Sequence, residues 1–268
     1  MNESLLMWSI LCVSAFLAGA VNAIAGGGTL LTFPALMTAL GSVAANATST
    51  VALFPGSLAS TWGYRKELAG MRPWLTILVP PSIVGGALGS WLLTAFDDRY
   101  FDRLVPWLIL LASSLFLIQK PLSRLMKPRP GNPNRAAGPD IPSSPGPVRV
   151  VGLIAAQFLI AVYGGYFGAG IGILMLSTLG LMGIPTIHQM NAVKTFLAAT
   201  INTFATIQFV REDKVAWPYA LAMGATAIVG GYLGARVSRK LSVRAVRNVV
   251  IAVGFSMSVW YFRRQLLG

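Results

Sequence analysis

The chain has 268 residues, of which 55% are hydrophobic and only 11% charged, and its mean hydropathy is +0.67. An average soluble domain carries roughly 25% charged residues, so the composition excludes a water-soluble globular protein and points to a polytopic α-helical membrane protein. The net charge of +13 does not indicate nucleic acid: Arg and Lys fall in the connections between apolar stretches, where the positive-inside rule and lipid head groups account for them, and no aromatic-and-basic single-strand platform accompanies them.

In chain order, apolar stretches cover about 5–24, 27–40, 44–64, 74–96 and 102–119, then 150–163, 168–182, 190–209, 216–235 and 245–262. Several approach the ~20 residues that cross about 30 Å of hydrocarbon. The first lacks a basic segment before Leu5 and runs on into further spans, so it reads as a membrane segment and not as a cleaved signal. Its Cys12, the one cysteine, has no internal partner and reads as a small buried apolar residue. From Asn22 to Thr29 the run containing Gly26, Gly27 and Gly28 interrupts the helical pattern, and the stretch after it is short and holds Pro34. Tyr163 to Gly170, with Gly164, Gly165, Gly168 and Gly170, plays the same part later in the chain. Such runs free backbone N–H and C=O groups, which membranes tolerate only where they are buried in protein or line a wet cavity. Each pair of stretches is therefore expected as a glycine-broken hairpin, either two full spans or a re-entrant pair, meeting its twin near the bilayer midplane.

Displacing the chain on itself by 145 positions aligns Asn46, Ala47 and Thr50 with Asn191, Ala192 and Thr195. In the same register Glu67 falls on Glu212, Pro73 on Pro218, Gly85-Gly86 on Gly230-Gly231, Gly89 on Gly234 and Arg99 on Arg244. Nearer the N-terminus the register slips by a few residues. The predicted organisation is two homologous halves, 1–120 and 149–268, joined by a flexible linker, 121–148, that is rich in Pro, Gly, Asn and Ser and basic through residues such as Arg124, Lys127 and Arg135. Basic loops mark the cytoplasmic side: the linker, Arg65–Arg72, and the cluster Arg236, Arg239, Lys240, Arg244 and Arg247. Asp97–Arg103 and Arg211–Lys214 are acidic or balanced and are assigned outside. Equivalent loops then lie on opposite sides, so the expected fold is all-α, two inverted-topology repeats with about five apolar helical segments each. Both termini fall outside on this assignment, and Arg263-Arg264 fits it least well.

The eight acidic residues, Glu3, Glu67, Asp97, Asp98, Asp102, Asp140, Glu212 and Asp213, all lie in loops, in the linker or at span ends. A cation pump or an intramembrane aspartyl protease, which need buried carboxylates, is disfavoured. His188 is the only histidine, so no zinc cluster forms, and neither a metal nor a cofactor is expected. What remains at depth is an anion receptor. Lys194 stands deep inside an apolar stretch, roughly 13 Å beyond Pro185 at 1.5 Å per residue. There it either snorkels, bonds a backbone carbonyl, or meets an anion. The anion reading draws donors from Asn191, Thr195, Asn46, Ser49, Thr50 and Asn22, and from open backbone N–H groups at Gly27, Gly28, Gly168 and Gly170. Thr200, Asn202 and Gln208 are spaced along the same predicted helix as Lys194 and either join its site or make interhelical hydrogen bonds, and the Gly85-Gly86 and Gly230-Gly231 runs are expected in close helix packing.

The combination of Asn22 to Thr29 with Pro34, Asn46 to Thr50, Gly168 to Gly170 and Asn191 to Thr195 resembles the sulfite exporter TauE/SafE family of integral membrane permeases, over essentially the whole chain except the linker. The resemblance implies secondary transport of a small sulfur-containing anion, such as sulfite or an organosulfonate, across a bacterial-type plasma (inner) membrane. An anion channel would use the same residues, and an intramembrane enzyme is a further alternative that lacks a visible general acid–base pair. The lipid bilayer is the expected environment, and homo-oligomerisation stays open.

Overall fold

The computed structural model describes residues 2–125, 147–182, 184, 186–237 and 243–267. Among them the chain is all-helical, with α1 (Asn2–Ile24), α2 (Thr29–Leu36), α3 (Ser42–Gly63), α4 (Arg65–Leu68), α5 (Arg72–Ala95), α6 (Asp98–Leu125), α7 (Pro147–Tyr166), α8 (Ile171–Leu181), α9 (Ile187–Arg211), α10 (Trp217–Val237) and α11 (Val243–Leu267). Ten of these answer to the ten apolar stretches; α4 is a single added turn. α1, α5, α6 and α10 are long and apolar enough to cross a membrane. α3 and α9, with 22 and 25 residues, reach about 33 and 37 Å at 1.5 Å per residue, but each carries a polar stripe. α2 and α8 have only 8 and 11 residues, about 12 and 17 Å, well short of the ~30 Å hydrocarbon thickness.

Lipid offers no hydrogen bonds, so the polar stripes of α3 and α9 turn inward. Asn46, Thr48, Ser49, Ser57 and Ser60 of α3 and Asn191, Lys194 and Thr195 of α9 are all buried. The two helices pack on each other at the centre. Large apolar side chains such as Val151, Leu159 and Leu221 are turned outward instead, with Trp107 and Trp217, which is the arrangement a hydrocarbon solvent selects. Half-buried Cys12 sits on α1.

Around this centre α1 packs on α10 and α7 on α5, α3 packs on α10 and α9 on α5, and α6 pairs with α11. Exchanging α1 with α7, α3 with α9, α5 with α10 and α6 with α11 leaves that pattern unchanged. Small residues make the closest contacts, as membrane helix pairs require in the absence of a hydrophobic drive between them. A methyl group on Gly85 would stand 2.6 Å from the Phe158 carbonyl oxygen, and one on Gly234 2.6 Å from the Ala20 Cα. The glycine runs of α5 and α10 are thus helix-packing faces.

One boundary differs from the sequence reading. The helical path of α6 runs through Pro121 to Leu125, and α7 begins at Pro147, because a helix leaving the membrane need not end where its hydropathy does. The rest of the expected linker lies outside the described residues, as do Pro185, Arg239 and Lys240.

Candidate functional site

Both half-length helices begin at the same kind of turn. At the end of α1 the N–H groups of Ala25 and Gly26 both bond the Val21 carbonyl, at 2.8 and 2.9 Å. At the end of α7, Phe167 and Gly168 bond the Tyr163 carbonyl in the same way, at 2.9 and 3.2 Å. The chain then turns at Gly26 (φ +74°) and Gly168 (φ +81°), a left-handed conformation that costs an L side chain about 1–2 kcal/mol. The turns correspond at a displacement of 142 positions, which is the slip in register seen in the sequence. They also touch: a methyl group on Gly26 would strike the Gly172 Cα, and one on Gly172 would lie 2.6 Å from the Gly26 Cα.

The break between α1 and α2 is capped on both sides. A helix end leaves its last carbonyls and the next helix its first N–H groups without partners. The Lys194 ammonium, 1% exposed, donates to the carbonyls of Asn22 at 3.0 Å and Ala23 at 3.2 Å, and the Tyr64 hydroxyl donates to Ala23 at 3.3 Å. Asn22 Oδ1 accepts from the N–H groups of Gly27 at 2.9 Å and Gly28 at 2.6 Å. The donors expected to be open at Gly27 and Gly28 are therefore occupied, since an amide oxygen offers two lone pairs and both are used. Lys194 adopts the carbonyl-bonding arrangement while one of its three N–H groups stays uncommitted.

The break between α7 and α8 lacks these caps. Gly164 stands where Asn22 would, and at the 145-position displacement Ser49 and Phe209 stand for Lys194 and Tyr64. Among the described residues no acceptor takes the N–H of Gly170, Ile171 or Gly172. The start of α8 thus keeps open donors and the positive end of its dipole.

A cavity of about 30 Å³ lies between the two breaks. Of the residues singled out from sequence, Asn22, Thr50, Gly168, Lys194 and Thr195 line it. Its wall is contributed pairwise by equivalent positions: Thr50 with Thr195, Ser57 with Asn202, Gly26 with Gly168. Thr195 Oγ1 is buried with no hydrogen-bond partner. The volume holds about two waters. Asn46, Ser49, Asn191, Gly27, Gly28 and Gly170 stand off the wall. Asn46 Nδ2 donates to the Tyr166 carbonyl at 3.0 Å, Ser49 Oγ shares a 2.6 Å bond with Thr32 Oγ1, and Asn191 Oδ1 is buried without a partner. Thr29, Ser57 and Ser60 also line the cavity and were not singled out for it, and Asn202 lines it as well, one of the two roles that its place on the Lys194 helix allowed. Their signal was present, because Ser57 and Asn202 lie seven residues, about two helical turns, beyond Thr50 and Thr195 on the same helix faces. Gln208 does bond across helices, to Thr94 Oγ1 at 3.1 Å, whereas the Thr200 hydroxyl returns to its own helix at Phe196. No group of three or more His, Cys, Asp or Glu residues that could hold a metal ion occurs among the described residues.

The chain is similar to known membrane proteins along nearly its full length. A family model described as "Sulfite exporter TauE/SafE" matches residues 11–261. A "Probable membrane transporter protein" of Haemophilus influenzae is 29% identical over 252 residues, covering 93% of this chain and 91% of that protein. "Probable membrane transporter protein YfcA" of Escherichia coli K12 is 28% identical over 264 residues, covering 94% and 88%. "Probable membrane transporter protein YunE" of Bacillus subtilis is 28% identical over 264 residues, covering 91% and 95%. No solved structure matches the chain. With its spanning helices, its buried polar centre and this match, the chain belongs to the sulfite exporter TauE/SafE family and is a multi-pass membrane transport protein.

Proposed function

We propose that the protein is a secondary transporter that carries a small sulfur-containing anion, sulfite or an organosulfonate, by alternating access between two inverted-topology halves, 1–120 and 149–268. The observation that carries this reading is the convergence on one cavity of the Lys194 ammonium, the unpartnered Thr195 hydroxyl and the open N–H groups at the start of α8. An oxyanion there gains charge-assisted hydrogen bonds from the ammonium and directional ones from backbone and hydroxyl. It also lowers the several-kcal/mol cost of a cation at depth. The sulfur chemistry is supported by the family's description; the sign of the charge is supported by the donors. The pairwise wall and the exchange pattern of helix packing support two equivalent halves, and the basic loops support their opposite insertion with the linker cytoplasmic, in a plasma membrane.

A carrier is favoured over a channel because the backbone contact of Gly26 with Gly172 closes the path beside the cavity, so that passage requires the two halves to separate. Thermal unfolding of the purified protein with sulfite, thiosulfate, sulfoacetate, sulfate or chloride tests the site. Stabilisation by a sulfur oxyanion, lost in Lys194→Met, is the expected result. Equal melting of the wild type in every anion would overturn it, and counterflow in proteoliposomes tests the carrier directly.

A further inference from the structure

The charges around the central cavity can be counted. Among the described residues Lys194 is the one Lys or Arg that lines it, and no carboxylate lines it. Every other Lys and Arg of the described helices stands within about two turns of a helix end, where water and head groups meet its charge. The Lys214–Asp98 ion pair, at 3.5 Å, lies beyond the far end of α9. The bonds of Lys194 go to the neutral carbonyls of Asn22 and Ala23 instead. The polar side chains beside it on the wall, Thr29, Thr50, Thr195 and Asn202, carry no charge.

The partial charges of the helix ends leave that count unchanged. An N-terminal end carries roughly half a unit of positive charge and a C-terminal end roughly half a unit of negative charge. Each glycine break joins one of each: the end of α1 at Ile24 to the start of α2 at Thr29, and the end of α7 at Tyr166 to the start of α8 at Ile171. The backbone contact of Gly26 with Gly172 sets the two breaks side by side, so the four ends sum to about zero. The open N–H groups at the start of α8 still orient an oxyanion, but the net charge that faces it is the single one of Lys194.

We propose that the site selects monoanions: a sulfonate with no second charge, or sulfite in its singly charged hydrogen sulfite form, in preference to sulfate, thiosulfate or the sulfite dianion. The selection rests on the anion site proposed above and narrows its substrate class. With a monoanion bound, guest and ammonium sum to zero, and no net charge is held at membrane depth. A dianion leaves one negative charge there with nothing to balance it, which is costly in a medium that cannot solvate it.

Methanesulfonate and sulfate make the comparison, because they are near-isosteres that differ by one charge. Binding of each to the purified full chain is titrated by thermal unfolding at equal ionic strength. Methanesulfonate is expected to bind at least about tenfold more tightly than sulfate. Sulfite adds a second reading: raising the pH converts hydrogen sulfite to the dianion, so its affinity relative to methanesulfonate should fall by about tenfold per pH unit once the dianion predominates. Taking that ratio cancels any titration of the protein itself. Asn202→Lys, which adds an ammonium to the cavity wall, should bring sulfate to at least the affinity of methanesulfonate, and the wild-type comparisons decide the matter if that variant does not fold. Sulfate binding as tightly as methanesulfonate to the wild type, a sulfite ratio that is flat with pH, or a folded Asn202→Lys with the wild-type preference would overturn the charge selection and leave the anion site standing. No response to any of the three anions would overturn the anion site, and the charge selection with it.

Discussion

Substituting the two touching glycines separates a backbone penalty from a steric one. Gly26 combines φ +74° with a methyl position that collides with the Gly172 Cα. Its replacement by alanine costs about 1–2 kcal/mol for the left-handed conformation and about 1–3 kcal/mol for overpacking against rigid backbone, roughly 2–5 kcal/mol in all. Gly172 lies inside α8, where no positive φ is required, and its methyl group would meet the Gly26 Cα at 2.6 Å and the Ala25 carbonyl oxygen at 2.8 Å. Alanine there suffers the overpacking but recovers about 1 kcal/mol of helix propensity, a net cost of about 0–2 kcal/mol. At about 2–4 °C per kcal/mol for a chain of this size, Gly26→Ala should melt roughly 4–20 °C below wild type and Gly172→Ala no more than about 8 °C below. Once one methyl group has spread the turns, the second meets less resistance, so the double variant should be less destabilised than the sum by about 0.5–3 kcal/mol. Additive losses in thermal unfolding would show that the turns do not bear on each other, and Gly172→Ala more damaging than Gly26→Ala would refute the conformational part.

Other outcomes follow from the same structure. Asn22→Ala should cost about 1–2 kcal/mol by uncapping Gly27 and Gly28, while Asn22→Asp, whose carboxylate still accepts both N–H groups, should melt within about 1 kcal/mol of wild type; equal losses would remove the capping role. Asn202→Leu should weaken stabilisation by the sulfur anion with little change in Tm of the unliganded protein, and an undiminished anion shift would exclude Asn202 from the binding wall. In a Cys12→Ser background, single cysteines at the equivalent positions Glu67 and Glu212 should react with a membrane-impermeant maleimide from opposite sides, and labelling of both from one side would overturn the inverted arrangement. Leu159→Arg, on an outward face that is 66% exposed, should reduce membrane-integrated protein through a cost of about 2.5–3.5 kcal/mol at the helix centre; unchanged integration would move α7 away from lipid.

The helices were legible because lipid enforces long apolar runs, and the breaks at Gly26–Gly28 and Gly168–Gly170 because glycine clusters have few other uses in such runs. The duplicated motifs led to α3 and α9, which form the centre. What the residues did not disclose was the traffic between them. That Lys194 bonds Asn22 depends on a meeting of residues 172 positions apart, and that Asn22 caps Gly28 depends on a turn whose path only the fold fixes. Ser57 and Asn202 were readable from their seven-residue spacing to Thr50 and Thr195, yet each alone resembles an ordinary interhelical polar contact. The boundary of α6 was hidden because hydropathy reports where the membrane ends and not where the helix does.

The backbone contact between Gly26 and Gly172 bears on how a membrane stays charged. Each elementary charge crossing 100 mV releases about 2.3 kcal/mol, so a passage that held a continuous file of water would drain the cell's voltage by conducting protons, whatever else it carried. Two turns pressed together backbone to backbone would interrupt such a file at the depth where the two breaks meet. Side chains larger than hydrogen at that seam would push the two turns apart and, on the carrier reading proposed above, open that file to water.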